Sequence, residues 1–159
     1  MNIRRCTAQD HDAIEEIVND AARAYRGAIP PDRWHDPYMP REELEREIAA
    51  GVRFWCCEDD GVIVAVMGLQ EVKDATLIRH AYVRPNLQRG GVGTALMQAL
   101  VPQARGRLLV GTWAAAAWAI RFYERNGFRL ASAEEKDRLL DTYWTIPARQ
   151  RDVSVVLLR

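Results

Sequence analysis

The stretch Val83-Arg84-Pro85-Asn86-Leu87-Gln88-Arg89-Gly90-Gly91-Val92-Gly93-Thr94-Ala95-Leu96 decides how this 159-residue chain is read. It leaves an apolar strand segment, His80-Ala81-Tyr82-Val83, turns at Pro85-Asn86 and enters a glycine-rich corner. A helical pattern follows, in which Val92, Leu96 and Leu100 fall on one face. A strand, a glycine corner and a helix start together make an anion site. The first helical turn has unpaired N–H groups and the positive end of the helix dipole, and glycine lets a phosphate approach that backbone closely. Arg89 adds a positive charge beside it. The residues alone therefore read as a phosphate-binding loop for a nucleotide-like cofactor.

Two other phosphate loops fail the comparison. A P-loop needs Lys and Ser/Thr after its last glycine, whereas Thr94-Ala95 follows Gly93. A dinucleotide fingerprint wants an acidic residue about 20 residues on, and the region around Gly111–Trp113 offers none. What fits is Gln-x-x-Gly-x-Gly, standing here as Gln88-Arg89-Gly90-Gly91-Val92-Gly93. This resembles the acetyl-coenzyme A loop of the GCN5-related N-acetyltransferases (GNAT). Ala119-Ile120-Arg121-Phe122-Tyr123-Glu124-Arg125-Asn126-Gly127-Phe128 resembles the second signature of that family, a helix carrying Phe-Tyr and ending in Gly-Phe. Its local physics is legible: Ile120, Tyr123 and the stem of Glu124 share one side, and Asn126-Gly127 supplies a left-handed stop. The order of elements around both motifs extends the resemblance over nearly the whole chain.

Composition bounds the function. Hydrophobic residues at 48% and charged ones at 28% describe an ordinary globule, most simply one domain spanning residues 1–159. Twenty-two acids balance 22 Lys and Arg, so no global field draws the chain to nucleic acid or to a membrane surface. No apolar run approaches the ~20 residues of a membrane span, and the N-terminus lacks a signal-peptide core. Neighbouring strand residues face opposite ways, so Cys56 and Cys57 do not make a ligand pair. With Cys6 they form no disulfide framework, which suits a reducing cytoplasm. No metal-spaced cluster stands out; His11, His35 and His80 are scattered.

In chain order, Asn2–Cys6 reads as a strand, and Thr7 with Asp10 as a capping-box start. A helix follows through Ile14, Ile17, Val18, Ala21, Ala22 and Tyr25. Prolines between Gly27 and Pro40 forbid continuous helix, and that stretch carries Trp34, His35, Tyr38 and Met39. These aromatics either line a substrate pocket or clasp the loop to the core. Arg41–Ala50 reads as a helix, Val52–Glu58 as a strand, Asp59-Asp60-Gly61 as a hairpin turn, and Val62–Leu69, extended to Val72, as a buried strand. Ala75–Val83 is the strand entering the glycine corner. Beyond it come a helix to Ala104, a strand Leu108–Trp113, a helix Ala114–Arg125 and a strand Phe128–Ser132. Ala133–Gln150 is expected to be irregular or only partly strand, and Val153–Leu158 to close the chain as a strand. The pattern predicts an α/β fold with a central mixed sheet flanked by helices.

The resemblance adds a mostly antiparallel sheet whose splayed strand pair holds acetyl-CoA, the acyl donor. It implies cofactor contacts from Ala81, Tyr82 and Val83 on the splayed strand, and from Gln88, Arg89, Gly90, Gly91, Val92, Gly93 and Thr94 in the loop and first turn. A backbone N–H around Val83 would face the thioester carbonyl as an oxyanion donor. Tyr123 takes the place of the tyrosine that protonates the departing thiolate, or else packs its ring against the cofactor. For the base, His80 has a suitable intrinsic pKa and Glu71 is the rival; a lone histidine is also commonly a packed, hydrogen-bonded residue. Trp34, Tyr38, Tyr143 and Trp144 are expected to shape the acceptor pocket. Ala116 stands where several family members carry a cofactor-binding asparagine. The activity implied is acetylation of a primary amine, on a small molecule first and on a protein terminus or lysine second. A non-catalytic acyl-CoA sensor is the third reading, and a homodimer is left open.

Overall fold

The computed structural model describes every residue except Arg89, whose expected role lies outside the described residues. Seven strands form one sheet in the order β1-β2-β3-β4-β5-β7-β6. They are β1 (Asn2–Arg5), β2 (Arg53–Asp59), β3 (Val62–Val72), β4 (Ala75–Val83), β5 (Arg107–Trp113), β6 (Arg129–Leu130) and β7 (Ser154–Leu158). Every neighbouring pair is antiparallel except β4 with β5. The expected mixed, mostly antiparallel sheet is therefore present.

Helices α1 (His11–Ala22), α2 (Arg41–Ala49) and α5 (Ala133–Tyr143) cover one face, while α3 (Val92–Leu100) and α4 (Ala117–Arg125) cover the other. The apolar spacing explains both layers. Val92, Leu96 and Leu100 of α3 bury against Met67, Leu69 and Ile78, and Ile14, Ile17 and Val18 of α1 bury with Phe54, Cys56 and Val66. Each such side chain contributes roughly 1.5–3 kcal/mol on leaving water.

Two features of β4 shape the site. Its pairing with β5 covers only Ala75–Ile78 against Arg107–Val110, after which β5 runs on with β7. On its other edge β4 carries a bulge: Gly68 faces Arg79 and Val66 faces Tyr82, so His80 and Ala81 together oppose Met67. His80 takes φ +52, and Gly68 is required opposite, since a Cβ there would stand 2.9 Å from the Arg79 carbonyl oxygen. An extra residue bends and twists a strand. The bulge falls where β4 leaves β5, and the splay opens there.

The segment 133–150 corrects the sequence expectation. It holds α5 and a short helix α6 (Ala148–Asp152), not irregular chain or strand. Ser132 caps α5 by accepting from the Glu135 amide at 3.2 Å, and Glu134 and Glu135 complement the dipole. Leu139, Leu140 and Tyr143 supply its buried stripe. The cue was present as Ser-x-x-Glu, a capping pattern, but the aromatic run after it masked the helix. Smaller differences are local. Helix α4 starts at Ala117 rather than Ala114, because Ala114 and Ala115 turn and the Ala116 amide bonds the Trp113 carbonyl at 2.9 Å. The helix expected to run to Ala104 ends at Leu100 and continues as a 3-10 turn, Val101–Gln103, around Pro102. No helix among the described residues is long and apolar enough to cross a membrane.

Candidate active site

The cleft between the β4 edge and helices α3 and α4 encloses a cavity of about 730 Å³. Ala81, Tyr82 and Val83 line it from the strand, Gln88, Gly91, Gly93 and Thr94 from the corner, and Trp118, Arg121, Phe122, Tyr123 and Arg125 from α4. Among the described residues no carboxylate lines it.

Its anion end is built from backbone. Gly91 caps α3 in the left-handed conformation, φ +78, and the first bond of the helix runs from the Ala95 amide to the Gly91 carbonyl at 3.0 Å. The N–H groups of Val92, Gly93 and Thr94 precede that bond and belong to the unpaired first turn. The corner before them is held by the Leu87 amide on the Arg84 carbonyl (2.9 Å) and the Gly90 amide on the Leu87 carbonyl (3.2 Å). Gly93 lets three elements converge: a Cβ there would lie 3.2 Å from Phe122 Cε1 and 3.4 Å from Val83 Cγ2. Arg121 and Arg125, four residues apart on α4, add positive charge to the lining, and neither pairs with a carboxylate among the described residues. The sequence reading missed both. Their i, i+4 spacing on the second-motif helix was the available signal.

The free β4 edge supplies the other backbone element. The Arg84 amide donates across to the Val64 carbonyl on β3 at 2.9 Å. Successive amides along a strand point to opposite edges, so the Val83 N–H one residue back points to the side where β5 has departed. Gln88 Nε2 donates to the Val83 carbonyl at 3.4 Å.

Tyr123 lines the cavity, only 6% exposed, and packs edge-on against Phe122 and Phe128 with ring centroids 5.3 and 5.6 Å away. Its hydroxyl has no hydrogen-bond partner among the described residues. Burial, with Tyr25 nearby, pushes this phenol well above the ordinary tyrosine range, so it keeps its proton throughout neutral pH. Tyr82 is pushed up likewise by burial among Tyr38, Tyr25 and Tyr123. Tyr25 packs on Tyr82 (5.9 Å) and on Trp118 (5.1 Å), completing an aromatic wall that the sequence did not anticipate.

The remaining expected residues divide. Trp34 packs at a tilt against Tyr38 at 5.6 Å, and Tyr38 neighbours both Tyr82 on β4 and Trp113 on β5, spanning the splay from the helical face of α1 and α2. His80 is adjacent, its ring 6.4 Å from that of Tyr82 and bonded to Glu47 of α2. Glu71 is not brought to the cavity. It sits opposite Thr76, before the splay, exposed and paired with Arg53 at 3.1 Å. Tyr143 is also elsewhere, buried in the α5 layer with its hydroxyl donating to Asp74. Trp144 packs in the same layer, within about 3.4 Å of where a Gly111 Cβ would stand. Ala116 is fully buried, so its place offers the cavity no polar contact.

The profile of the acetyltransferase (GNAT) family matches residues 14–128, and the chain belongs to that family. It is an acetyltransferase enzyme by that membership, with a relative of the same class in Escherichia coli K12. That relative, the peptidyl-lysine N-acetyltransferase YiaC, is 27% identical over 144 residues, covering 89% of this chain and 92% of its own. Among solved structures, the PaiA N-acetyltransferase of Thermoplasma acidophilum, in complex with coenzyme A, superposes with a TM-score of 0.73 at 14% identity, covering 99% of this chain and 97% of its own. The ribosomal-protein-alanine N-acetyltransferase of Brucella melitensis gives 0.69 at 20% identity, covering 100% and 99%. At such identities the structural likenesses bear on the fold.

Proposed function

We propose that this enzyme transfers an acetyl group from acetyl-CoA to the primary amine of a small molecule. The observation that carries the reading is the cavity itself, which joins the unpaired first turn of α3, the open Val83 edge and the Tyr123 hydroxyl. The cavity suits the donor: it has backbone N–H groups at the start of α3, two arginines in its lining, no carboxylate lining it among the described residues, and apolar walls. When bound, acetyl-CoA supplies a thioester carbonyl carbon open to an amine and a thiolate leaving group.

The chain's residues divide the work. Val92, Gly93 and Thr94 present N–H groups to phosphate, with Arg121 and Arg125 as charge partners. The Val83 N–H on the free edge is the donor for developing oxyanion charge. Tyr123 holds a proton on its hydroxyl for the leaving sulfur. His80 is the group that takes the amine's proton. Trp34 and Tyr38 form the aromatic approach to the splay.

The Gly27–Pro40 segment is tied to α6 by the exposed Arg149–Asp32 ion pair at 3.0 Å. The likeness to a peptidyl-lysine acetyltransferase supports a second reading, in which the acceptor is a protein lysine. One assay tests both. Free thiol release from acetyl-CoA is followed with a panel of small primary amines and with lysine-containing peptides. Turnover with the amines alone is the expected result; turnover with peptides alone moves the acceptor to protein, and no release with either overturns the transfer reading.

A further inference from the structure

Helix α2 contributes a side chain that no motif singled out. Glu47 reaches His80 across 33 residues of sequence, with Oε1 2.8 Å and Oε2 2.9 Å from Nε2. Both partners are mostly buried, their side chains 15% and 14% exposed. Arg79 Nη2 lies 3.1 Å from the same Oε1 and turns Nη1 toward Gln70 Oε1 at 3.5 Å. Burial alone would push the Glu47 carboxyl up. The bond from His80, the attraction of that ring when it is protonated and the charge of Arg79 outweigh it and hold the group below the ordinary carboxylate range.

That electrostatic state fixes the histidine. An ionised carboxylate only accepts, so Nε2 carries the hydrogen and donates. In the neutral ring the lone pair is then on Nδ1, which has no hydrogen-bond partner among the described residues. The backbone holds the ring in place at a cost: φ +52 at a non-glycine residue is worth of order 1–3 kcal/mol of strain. The ring lies between Phe54, 6.2 Å away, and Tyr82, a wall of the cavity. The charged groups facing it are Glu47 from α2 and Arg79 from β4; the phenols of Tyr82 and Tyr38 are kept neutral by burial.

We infer that Glu47 is a positioning residue for the amine-activating base: it fixes His80 as the Nε2–H tautomer and leaves Nδ1 free to accept a proton. The inference rests on the acetyl-transfer reading and adds to it the origin of the base. The acceptor arrives as an ammonium. Nδ1 takes one proton, giving a neutral amine and an imidazolium whose Nε2–H remains on Glu47; the imidazolium later returns that proton to water. The proton that Tyr123 gives to the sulfur is replaced by the one the nitrogen sheds on becoming an amide.

The test is a double-mutant cycle with a responsive amine, joined to nitrogen-15 NMR of His80. His80→Ala should lower kcat about 10²-fold or more. Glu47→Gln should lower it about tenfold or more, and adding it to His80→Ala should cost nothing further, because coupled groups are not additive. NMR of the wild-type protein should show the neutral ring as the Nε2–H tautomer. A double variant that falls by the product of the single effects, or a ring that is Nδ1–H, overturns the role. Wild-type turnover left intact by His80→Ala overturns it alone. Wild-type protein releasing no thiol with any amine overturns the transfer reading and this role with it, while the NMR still reports on the Glu47–His80 pair.

Discussion

The two ends of the cleft are made in different ways. At the phosphate end, Gly91, Val92, Gly93 and Thr94 are contiguous, and the site is the backbone of one strand-to-helix corner. At the proposed amine end, His80 comes from β4, Glu47 from α2, and Trp34 and Tyr38 from the proline-rich segment, so the contact between His80 and Glu47 is a tertiary one. The backbone part of the first end needs only local φ/ψ and helix geometry, to which α4 adds Arg121 and Arg125. The second needs the sheet, its bulge and two helices already in place. A contiguous site is broken by a backbone change, whereas an assembled one is broken by removing a single side chain.

Variants at each end and at their junction test this contrast. The largest effect is expected at Tyr123, where the ends meet. Tyr123→Phe keeps the ring against Phe122 and Phe128 and removes only the proton donor. kcat should fall ~10²–10⁴-fold, the range for a positioned acid, with acetyl-CoA affinity little changed. Steady-state kinetics beside Tyr123→Ala check this; near-normal turnover in the Phe variant would give Tyr123 a packing role only.

Next comes Gly91→Val. No atom lies within 4 Å of a Cβ at this position, so neighbouring side chains would not suffer. The cost is at φ +78, of order 1–3 kcal/mol for a non-glycine residue, and at the phosphate approach. Calorimetry on the folded variant should show acetyl-CoA binding weakened about 10²-fold or more, the equivalent of roughly 2.8 kcal/mol. Unchanged affinity would break the account of the anion end.

Trp34→Ala probes the assembled end. It removes the ring that packs at a tilt against Tyr38 and lies under the Arg26 guanidinium, whose carbon is 5.7 Å from the ring centroid. The acceptor KM should rise about tenfold, the effect of roughly 1.4 kcal/mol of lost contact, while the cofactor KM stays put. Equal losses in both would make Trp34 a scaffold residue. The smallest effect is expected at Tyr143→Phe, which cuts the bond to Asp74 far from the cavity. Melting temperature should drop slightly and kinetics should not change; a selective rise in acceptor KM would return Tyr143 to the acceptor pocket.

Much of this was legible in the chain because it is local. The strand Ala75–Val83, the glycine corner and the Phe-Tyr helix are each specified by neighbours within one or two turns, and the structure places them together around one cavity. Tyr143 and Glu71 show the opposite case. Each had the right chemistry and stood near the right elements, yet the register sets Glu71 opposite Thr76, before the splay, and the α5 stripe turns Tyr143 into the core. An aromatic run after Ser132 concealed a capped helix, because the same residues serve a pocket wall or a buried stripe equally well.

The sequence by itself determined the anion end, since glycine conformational freedom and the unpaired amides of a first turn are properties of a few consecutive residues. It also determined the two-layered wrapping of the sheet, through apolar periodicity in α1 and α3. Only the tertiary structure decided what surrounds His80. The bulge at His80 turns on one pairing slip between β3 and β4, and the bond to Glu47 turns on how α2 crosses the sheet. Neither is encoded in any short window, because a hydrogen bond between residues 33 apart exists only after the packing that brings them together.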